Sequence, residues 1–307
     1  MTELYPWLQP PFNQLLALTN SGQLAHALVL CGPAGIGKAT MADALAAVLL
    51  CKNRQPAGAC GQCKSCMLRQ AGNHADLLKL HSDTQHIGVD AIRQLNNFSH
   101  GAAQQHGNRV VVIPAADTMT EAAANALLKT LEEPPAGCFI ILVSSNYPQL
   151  SATIRSRCQQ WQLHAGNAAD IAQWLSQQTN KSPPAFLVEY CQGAPLKALS
   201  LLADDTATSL SDTLTLLDEY FSGKLQLTNV VKQLDGKAEL SGMLGFYIRQ
   251  RLAQPLEFLR QQAVLTAYQR WCRDATRIIG QNSALALTGL LTELKSLLQH
   301  PEAKWKS

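Results

Sequence analysis

Apolar residues in the first half of the chain form two kinds of pattern. Three short runs are rich in aliphatic and β-branched residues and end in glycine, proline or asparagine, which predicts buried strands. These runs cover residues 24–32, 109–114 and 138–146. The stretch 39–51 instead spaces Met41, Leu45 and Val48 along one face of a helix. Strands that alternate with amphipathic helices predict an α/β fold, in which a parallel sheet is covered by helices on both faces.

A second amphipathic helix is predicted between the second and third runs. Thr118 and Glu121 stand three residues apart, as in a capping box, and Pro134 and Pro135 stop the helix. Its apolar face consists of Ala124, Leu127, Leu128 and Leu131.

Beyond about residue 166 the strand pattern disappears and the remaining segments have helical spacing. We therefore predict three domains. They are an α/β domain at 1–165, a small helical domain at 166–205 and a larger all-helical domain at 206–307.

Composition narrows the classes of partner. The chain has 307 residues, 47% of them hydrophobic, and a net charge of +3, which is too weakly basic for a protein that mainly grips a nucleic-acid backbone. Protein partners are favoured. No apolar run approaches the roughly 18 residues of a membrane span, and the first residues lack the pattern of a secretion signal. We expect a cytoplasmic protein with no membrane partner.

The segment GPAGIGKA, residues 32–39, matches the phosphate loop G-x-x-x-x-G-K-[ST] except at its last position. Ala39 stands where a hydroxyl would bind magnesium. The loop joins a predicted strand to a predicted helix, as this motif requires. The candidate phosphate-binding residues are Gly32, Gly35, Gly37, Lys38 and Thr40. Lys38 and the loop amides can hold phosphates, or neighbouring side chains can block them, so the sequence leaves ATP binding open.

The residues that would hydrolyse ATP are missing. A working site needs an acidic pair at the end of a neighbouring strand, where it orients magnesium and activates water. Pro114 and Ala115 occupy these positions. Asp117 follows three residues after Pro114, and we interpret it as a surface or helix-capping residue. We expect no ATPase activity from the isolated chain.

Four of the nine cysteines form the pattern C-x8-C-x2-C-x2-C in a glycine-containing polar segment. They are Cys51, Cys60, Cys63 and Cys66. Four thiolates at this spacing are typical of a tetrahedral zinc site, and a complete set of four predicts a structural ion with no open position for water. His74 could replace one ligand, but we interpret it as a solvent-facing loop histidine.

Longer motifs carry a resemblance to a known family. NALLKTLEEPP (125–135), IRSRC (154–158), GVDAIRQL (88–95) and the four-cysteine insertion resemble the bacterial clamp-loader subunits, AAA+ proteins of the DNA polymerase III holoenzyme. The resemblance covers roughly residues 1–205. It implies an AAA+ P-loop domain, a helical lid domain and, at the C-terminus, an all-α collar domain that serves oligomerisation.

The same resemblance implies partners and a role for one arginine. Such subunits join gamma/tau ATPase subunits and a delta subunit in a hetero-pentamer, which loads the sliding clamp on primed DNA during chromosomal replication. Arg157 matches the family's arginine finger, which reaches into a neighbouring subunit's ATP site. From the residues alone, the alternative for Arg157 is a surface ion pair or a cap near the end of the domain. Lys197 stands where active relatives carry a sensor arginine, and lysine cannot reproduce its bidentate contact.

Two alternative functions stay open at this point. One is an active ATPase motor subunit of the gamma/tau type, against which Ala39, Pro114 and Ala115 count. The other is a zinc-dependent nucleic-acid module with a small basic face, although no aromatic residue is available there for stacking on bases. Its contact residues would be Lys52, Arg54, Lys64 and Arg69.

Overall fold

The computed structural model of the chain describes residues 4–80, 86–179, 181–204, 206–237, 239–254, 256–277 and 282–299. Their contacts divide the chain into two compact units. The first comprises Met1–Asn180 and Cys191–Leu199, and the second comprises Lys181–Tyr190 and Ser200–Ser307. The predicted boundaries of three domains stay a prediction.

A parallel sheet of five strands forms the centre of the first unit as far as it is described. The strands are β1 (Ala27–Cys31), β2 (Leu77–Lys79), β3 (Arg109–Ile113), β4 (Cys138–Ser144) and β5 (Gln159–Gln162). They lie in the order β2-β3-β4-β1-β5, and every pairing is parallel. The three predicted strands are confirmed as the three central ones, and the parallel sheet is confirmed with them.

The central and edge strands differ in burial. Every residue of β1 and β3 is buried, because helices cover both faces of the sheet. The edge strand β5 has the sequence QQWQ, three of whose residues are exposed. Its pairing with β1, with Leu28 opposite Gln159, therefore comes from tertiary context that an apolar pattern cannot reveal.

Helices cover both faces of the sheet. In the first unit they are α1 (Gln9–Asn20), α2 (Lys38–Leu50), α3 (Lys64–Gln70), α4 (Val89–His100), α5 (Glu121–Glu132), α6 (Ala152–Arg155) and α7 (Ala168–Thr179). Helices α4 and α5 bury Ile92 and Leu127 against alternate strand residues such as Val29 and Val111. The other strand positions face α2, which contacts β1, β3 and β4. The predicted helix 39–51 is confirmed as α2.

The start of α5 differs from the predicted capping box. Thr120 is the N-cap, and its Oγ1 accepts the Ala123 N–H at 3.2 Å. Thr118 lies instead in a 3-10 turn, where its hydroxyl donates to the Ala115 carbonyl at 2.8 Å. The capping-box prediction is wrong because Glu121 is the first helical residue, not the third.

In the described residues of the second unit, the regular secondary structure is helical. Its helices are α8 (Leu187–Tyr190), α10 (Thr206–Phe221), α11 (Leu227–Leu234), α12 (Leu240–Leu252), α13 (Phe258–Arg277) and α14 (Ser283–Gln299), and α9 (Pro195–Ala203) begins in the first unit. Leu217, Tyr247, Val264 and Leu291 belong to its core. The predicted helical C-terminal region is confirmed. Among the described helices, none combines the length and the apolar character that a membrane span needs.

Candidate functional site

The loop between β1 and α2 brings the candidate phosphate-binding residues together. Gly35 and Gly37 have φ values of 85° and 93°, left-handed conformations that favour glycine. Lys38 begins α2, and its side chain is buried, with only 6% of the residue exposed. Its ammonium donates to the carbonyl oxygens of Gly32 and Pro33, at 2.8 Å each. The lysine is therefore bonded to its own loop.

The Lys38 ammonium is largely shielded from solvent. Burial lowers the pKa of Lys38, and the nearby carboxylate of Asp117 acts in the opposite direction. A phosphate that entered the loop would have to draw the ammonium away from two carbonyl groups that already satisfy it.

An aromatic cluster of Tyr5, Trp7 and Trp174 lies against one side of the loop. The Trp7 indole N–H donates to the Ile36 carbonyl at 2.8 Å. Tyr5 stacks on Trp7 with ring centroids 5.1 Å apart, and Trp174 meets Trp7 edge-on at 4.9 Å. A Cβ atom placed on Gly37 would lie 2.7 Å from the Tyr5 ring, so the ring touches the loop backbone.

The first residues of α9 cover the apex of the same loop. The Leu196 N–H donates to the Gly35 carbonyl at 2.9 Å. A Cβ atom on Gly35 would lie only 2.9 Å from the backbone nitrogen of Lys197. Lys197, at the predicted sensor position, thus approaches the loop through its backbone. The loop is enclosed by the chain's own N-terminal segment on one side and by α9 at its apex.

The positions that would bind magnesium or activate water offer few side-chain oxygen atoms as ligands. Ala39 and Pro114 are exposed, and Ala115 is half-buried. The half-buried Thr40 keeps the one hydroxyl among these positions.

Asp117 has a structural task beside the loop. Its Oδ2 accepts the N–H groups of Ser145 and Asn146, at 3.3 and 3.1 Å. The carboxylate therefore caps the backbone that follows β4. The interpretation as a helix cap is wrong, because the carboxylate caps the end of a strand and not a helix.

The four cysteines of the predicted metal site lie together. Their sulfur atoms are all within 4.8 Å of one another, with Cys51 to Cys60 at 3.6 Å and Cys60 to Cys66 at 4.0 Å. Tetrahedral zinc with bonds of about 2.3 Å separates its sulfur ligands by about 3.8 Å. The cluster could bind a metal ion of this kind.

Backbone N–H groups stabilise negative charge on individual sulfurs of the cluster, whereas burial raises the pKa of Cys51 and Cys66. The Cys60 N–H donates to the sulfur of Cys51, and the Cys63 N–H donates to that of Cys60, each at 3.3 Å. Burial raises the pKa of Cys63, but hydrogen bonds from the backbone of Cys66 and Lys52 and from neighbouring thiols lower it to about 6. Thiolates are the form in which cysteine binds metals, so the donor set fits a thiolate-bound cation.

His74 is a buried structural residue, and its prediction as a solvent-facing histidine is wrong. It is 5% exposed, and its Nε2 lies 2.5 Å from the Ser65 hydroxyl. Its Nδ1 accepts the Asp76 N–H at 3.1 Å, so the proton is on Nε2, which donates to Ser65. Ser65 in turn donates to the Leu50 carbonyl at 2.7 Å. Burial lowers the pKa of His74, which favours this neutral form.

The bonds of His74 connect the cysteine cluster to the sheet. Leu50 and Ser65 directly precede Cys51 and Cys66 in the chain. The histidine itself lies three residues before Leu77, the first residue of β2. It therefore fixes two of the four cysteines through their neighbours and is not a member of the cluster.

Arg157 lies in the turn between α6 and β5. Ile154 anchors α6 because its side chain is fully buried, and the Arg157 N–H donates to the Ile154 carbonyl at 3.1 Å. The guanidinium is about one-third exposed and forms an ion pair with Glu132, the last residue of α5. The Arg157 Nε donates to Glu132 Oε1 at 2.7 Å.

Arg157 and the phosphate loop lie at opposite ends of the parallel strands, the former at the edge of the sheet formed by the amino ends and the latter at that formed by the carboxyl ends. The loop follows the carboxyl end of β1, whereas Arg157 precedes the amino end of β5, which is parallel to β1. Five residues of strand separate the two edges by about 16 Å. The fold does not bring Arg157 to the candidate phosphate-binding residues of its own chain.

Sequence reasoning missed the residues that enclose the loop and the partner of Arg157. Tyr5, Trp7 and Trp174 are distant in sequence from the loop or from each other, and no spacing rule links them. Glu132 was visible only as part of the NALLKTLEEPP motif, without a role.

Comparison with known proteins gives consistent matches. The family described as "DNA polymerase III, delta subunit" matches residues 8–167. DNA polymerase III subunit delta' of Yersinia pestis is 33% identical over 314 residues, which cover 96% of this chain and 88% of that protein. The subunit of the same name from Escherichia coli K12 is 32% identical over 321 residues, which cover 96% of each.

A solved structure shares the fold. It is a DNA polymerase III gamma subunit-related protein from Thermotoga maritima, with a TM-score of 0.51 and 18% identity. The match covers 93% of this chain and all of that chain. At this identity the likeness concerns the fold alone.

The buried bonds of His74 generate a prediction. His74→Ala leaves the Ser65 hydroxyl and the Asp76 N–H without their partner, and we expect the free energy of unfolding in urea to fall by about 1–3 kcal/mol. His74→Gln, which can donate and accept, should recover part of this loss. His164→Ala removes an exposed histidine and serves as the control. Equal effects of His74→Ala and His164→Ala would contradict the assigned role.

Proposed function

The chain belongs to the delta-prime subunits of bacterial DNA polymerase III, and from this premise we propose that it is a non-hydrolysing clamp-loader subunit that supplies Arg157 to a neighbouring subunit's ATP site. Its partners in this proposal are gamma/tau ATPase subunits and a delta subunit in a cytoplasmic hetero-pentamer. The assembly loads the sliding clamp on primed DNA, which the chain meets through the complex.

The position of Arg157 is the observation that carries the proposal. The arginine is partly exposed at the edge of the sheet opposite to its own phosphate loop. A guanidinium at that edge cannot serve a nucleotide in its own loop, but it is accessible to another chain. Arginine supplied in trans stabilises the charge that develops on a transferred phosphoryl group.

The enclosed loop supports a non-hydrolysing role. Ala39 removes the hydroxyl for magnesium, and Pro114 and Ala115 replace the acidic pair. The carboxylate of Asp117, which lies close to Lys38, is engaged with two backbone N–H groups. These features count against the alternative of an active gamma/tau-like motor subunit.

The same loop is proposed to hold no nucleotide. Lys38 is satisfied by two loop carbonyls, and the aromatic cluster and the first residues of α9 lie directly on Gly37 and Gly35. Nucleotide entry would require these contacts to separate together. In this proposal the loop only connects β1 to α2, although it retains the conformation of a phosphate-binding loop.

The cysteine cluster is proposed to hold a structural zinc ion. Four thiolates complete a tetrahedral shell, so no position is open for water or substrate. The alternative of a nucleic-acid module would use Lys52, one of the basic residues beside the cluster. Its ammonium instead donates to the His106 carbonyl at 2.6 Å. The ion would fix the loop between α2 and α3, a segment with few apolar side chains of its own.

Substitution of Arg157 tests the central part of the proposal. In a reconstituted clamp loader, Arg157→Ala should lower DNA- and clamp-stimulated ATP turnover at least tenfold, since arginine supplied in trans contributes roughly 10³–10⁵ in kcat to other phosphoryl-transfer reactions. Arg270→Ala, which breaks an exposed ion pair with Glu293, is the matched control. Assembly is checked by size-exclusion chromatography. Unchanged turnover of the assembled Arg157→Ala complex would refute the finger.

Nucleotide binding by the isolated chain provides a second test. Titration with a fluorescent ATP analogue should show no saturable binding up to about 1 mM, a concentration that corresponds to a binding free energy of about −4 kcal/mol. A gamma/tau subunit measured in parallel shows that the probe works. Saturable binding that disappears in Lys38→Ala would overturn the enclosed-loop interpretation.

Metal analysis tests the cysteine cluster. The purified chain should contain one zinc ion, and Cys63→Ser should lower both the zinc content and the free energy of unfolding, because metal-binding energy contributes to folding. Cys272→Ser changes a cysteine outside the cluster and should retain the zinc. Zinc content that does not respond to Cys63→Ser would rule out the proposed site.

A further inference from the structure

The guanidinium of Arg157 is fixed on two of its sides. The Nε and Nη2 atoms both donate to Glu132 Oε1, the former at 2.7 Å. The Nη1 atom donates to the Thr153 carbonyl at 3.0 Å and to the Ser156 hydroxyl at 3.1 Å. These contacts use four of the five N–H bonds of a guanidinium. Among the described residues, they leave the second N–H of Nη2 for an incoming acceptor.

The groups that hold Arg157 are themselves anchored. Glu132 ends α5, whose preceding residue Leu131 is buried in the core of the first unit. Thr153 and Ser156 flank Ile154, which is fully buried. The carboxylate and the Thr153 carbonyl therefore belong to helices that are anchored in the core, and Ser156 lies in the turn that directly follows α6.

The ion pair between Arg157 and Glu132 is too exposed to contribute much to the stability of the fold. The side chains of Arg157 and Glu132 are 33% and 49% exposed, and ion pairs at such positions contribute little to stability. Three acceptors around a long side chain restrict its rotation, however. The contacts therefore affect where the guanidinium points more than how stable the subunit is.

We propose that Glu132 is a positioning residue for Arg157. It holds the Nε edge of the guanidinium so that the outward N–H of Nη2 points away from the subunit before the neighbour's nucleotide is met. The inference rests on the proposed trans role of Arg157. Orientation made in advance lowers the barrier of the reaction in the neighbouring site, because the arginine need not be ordered there.

A Glu132 carboxylate that hindered the arginine instead of positioning it would change the steady-state kinetics in another way. If the carboxylate merely competed with phosphate for the guanidinium, its removal would raise turnover or lower the KM for ATP. A positioning residue gives the reverse, since its loss lowers kcat and leaves the KM for ATP almost unchanged.

The test measures steady-state ATP turnover of the reconstituted clamp loader with DNA and clamp. We compare Glu132→Ala, Glu132→Gln, Arg157→Ala and the double variant Glu132→Ala/Arg157→Ala. Glu133→Ala removes the same charge one residue later, at an exposed position, and is the matched control. Assembly and thermal unfolding are recorded for each variant.

We expect Glu132→Ala to lower kcat by about tenfold at unchanged assembly, in line with the rate loss from a misplaced catalytic group. Glu132→Gln, whose amide oxygen still accepts both N–H bonds, should retain most of the turnover. In the Arg157→Ala background, Glu132→Ala should have no further effect, because it acts through the arginine.

Three results would overturn the inference. One is a Glu132→Ala complex as active as Glu133→Ala, and another is a complex more active than wild type. The third is an equal loss from Glu132→Ala with and without Arg157, which would indicate a structural role. If Arg157→Ala itself leaves turnover unchanged, the proposed finger fails as well. A strong effect of Arg157→Ala with none of Glu132→Ala refutes only the positioning role.

Discussion

The parallel pairing of β1 with β4 on one side and β5 on the other is the constraint on which the rest of the structure depends. Buried on both faces, β1 fixes the direction of its neighbours, and with it the edge at which each following turn emerges. The phosphate loop must lie at the carboxyl edge, and Arg157 at the amino edge. This separation places the enclosed loop at one end of the strands and the partly exposed Arg157 at the other.

The two ends satisfy their polar groups in contrasting ways. At the carboxyl edge, loop carbonyls accept hydrogen bonds from Lys38, Trp7 and Leu196, so the loop is bonded to its own chain. At the amino edge, the guanidinium of Arg157 is oriented by Glu132 but stays partly exposed. The proposed role, a subunit that hydrolyses no ATP itself and supplies Arg157 to a neighbour's site, would need this combination.

Much of the fold and of the site could be predicted from local pattern. Buried runs indicated the central strands, and the cysteine spacing indicated the cluster, because both signals reside in neighbouring residues. The edge strand β5 has almost no apolar pattern, and its place depends on pairing with β1. The burial of His74 likewise depends on Ser65 and on the backbone of Asp76, and the aromatic cluster joins residues far apart in sequence. Such contacts exist only after the chain has folded.

The most direct test of this account is the position of nucleotide in the assembled complex. Cryo-electron microscopy of the reconstituted clamp loader with a non-hydrolysable ATP analogue would locate every bound nucleotide. The account predicts a nucleotide of the neighbouring subunit against the guanidinium of Arg157 and none in the loop that contains Lys38. Nucleotide in that loop, or an Arg157 side chain remote from every phosphate, would contradict it.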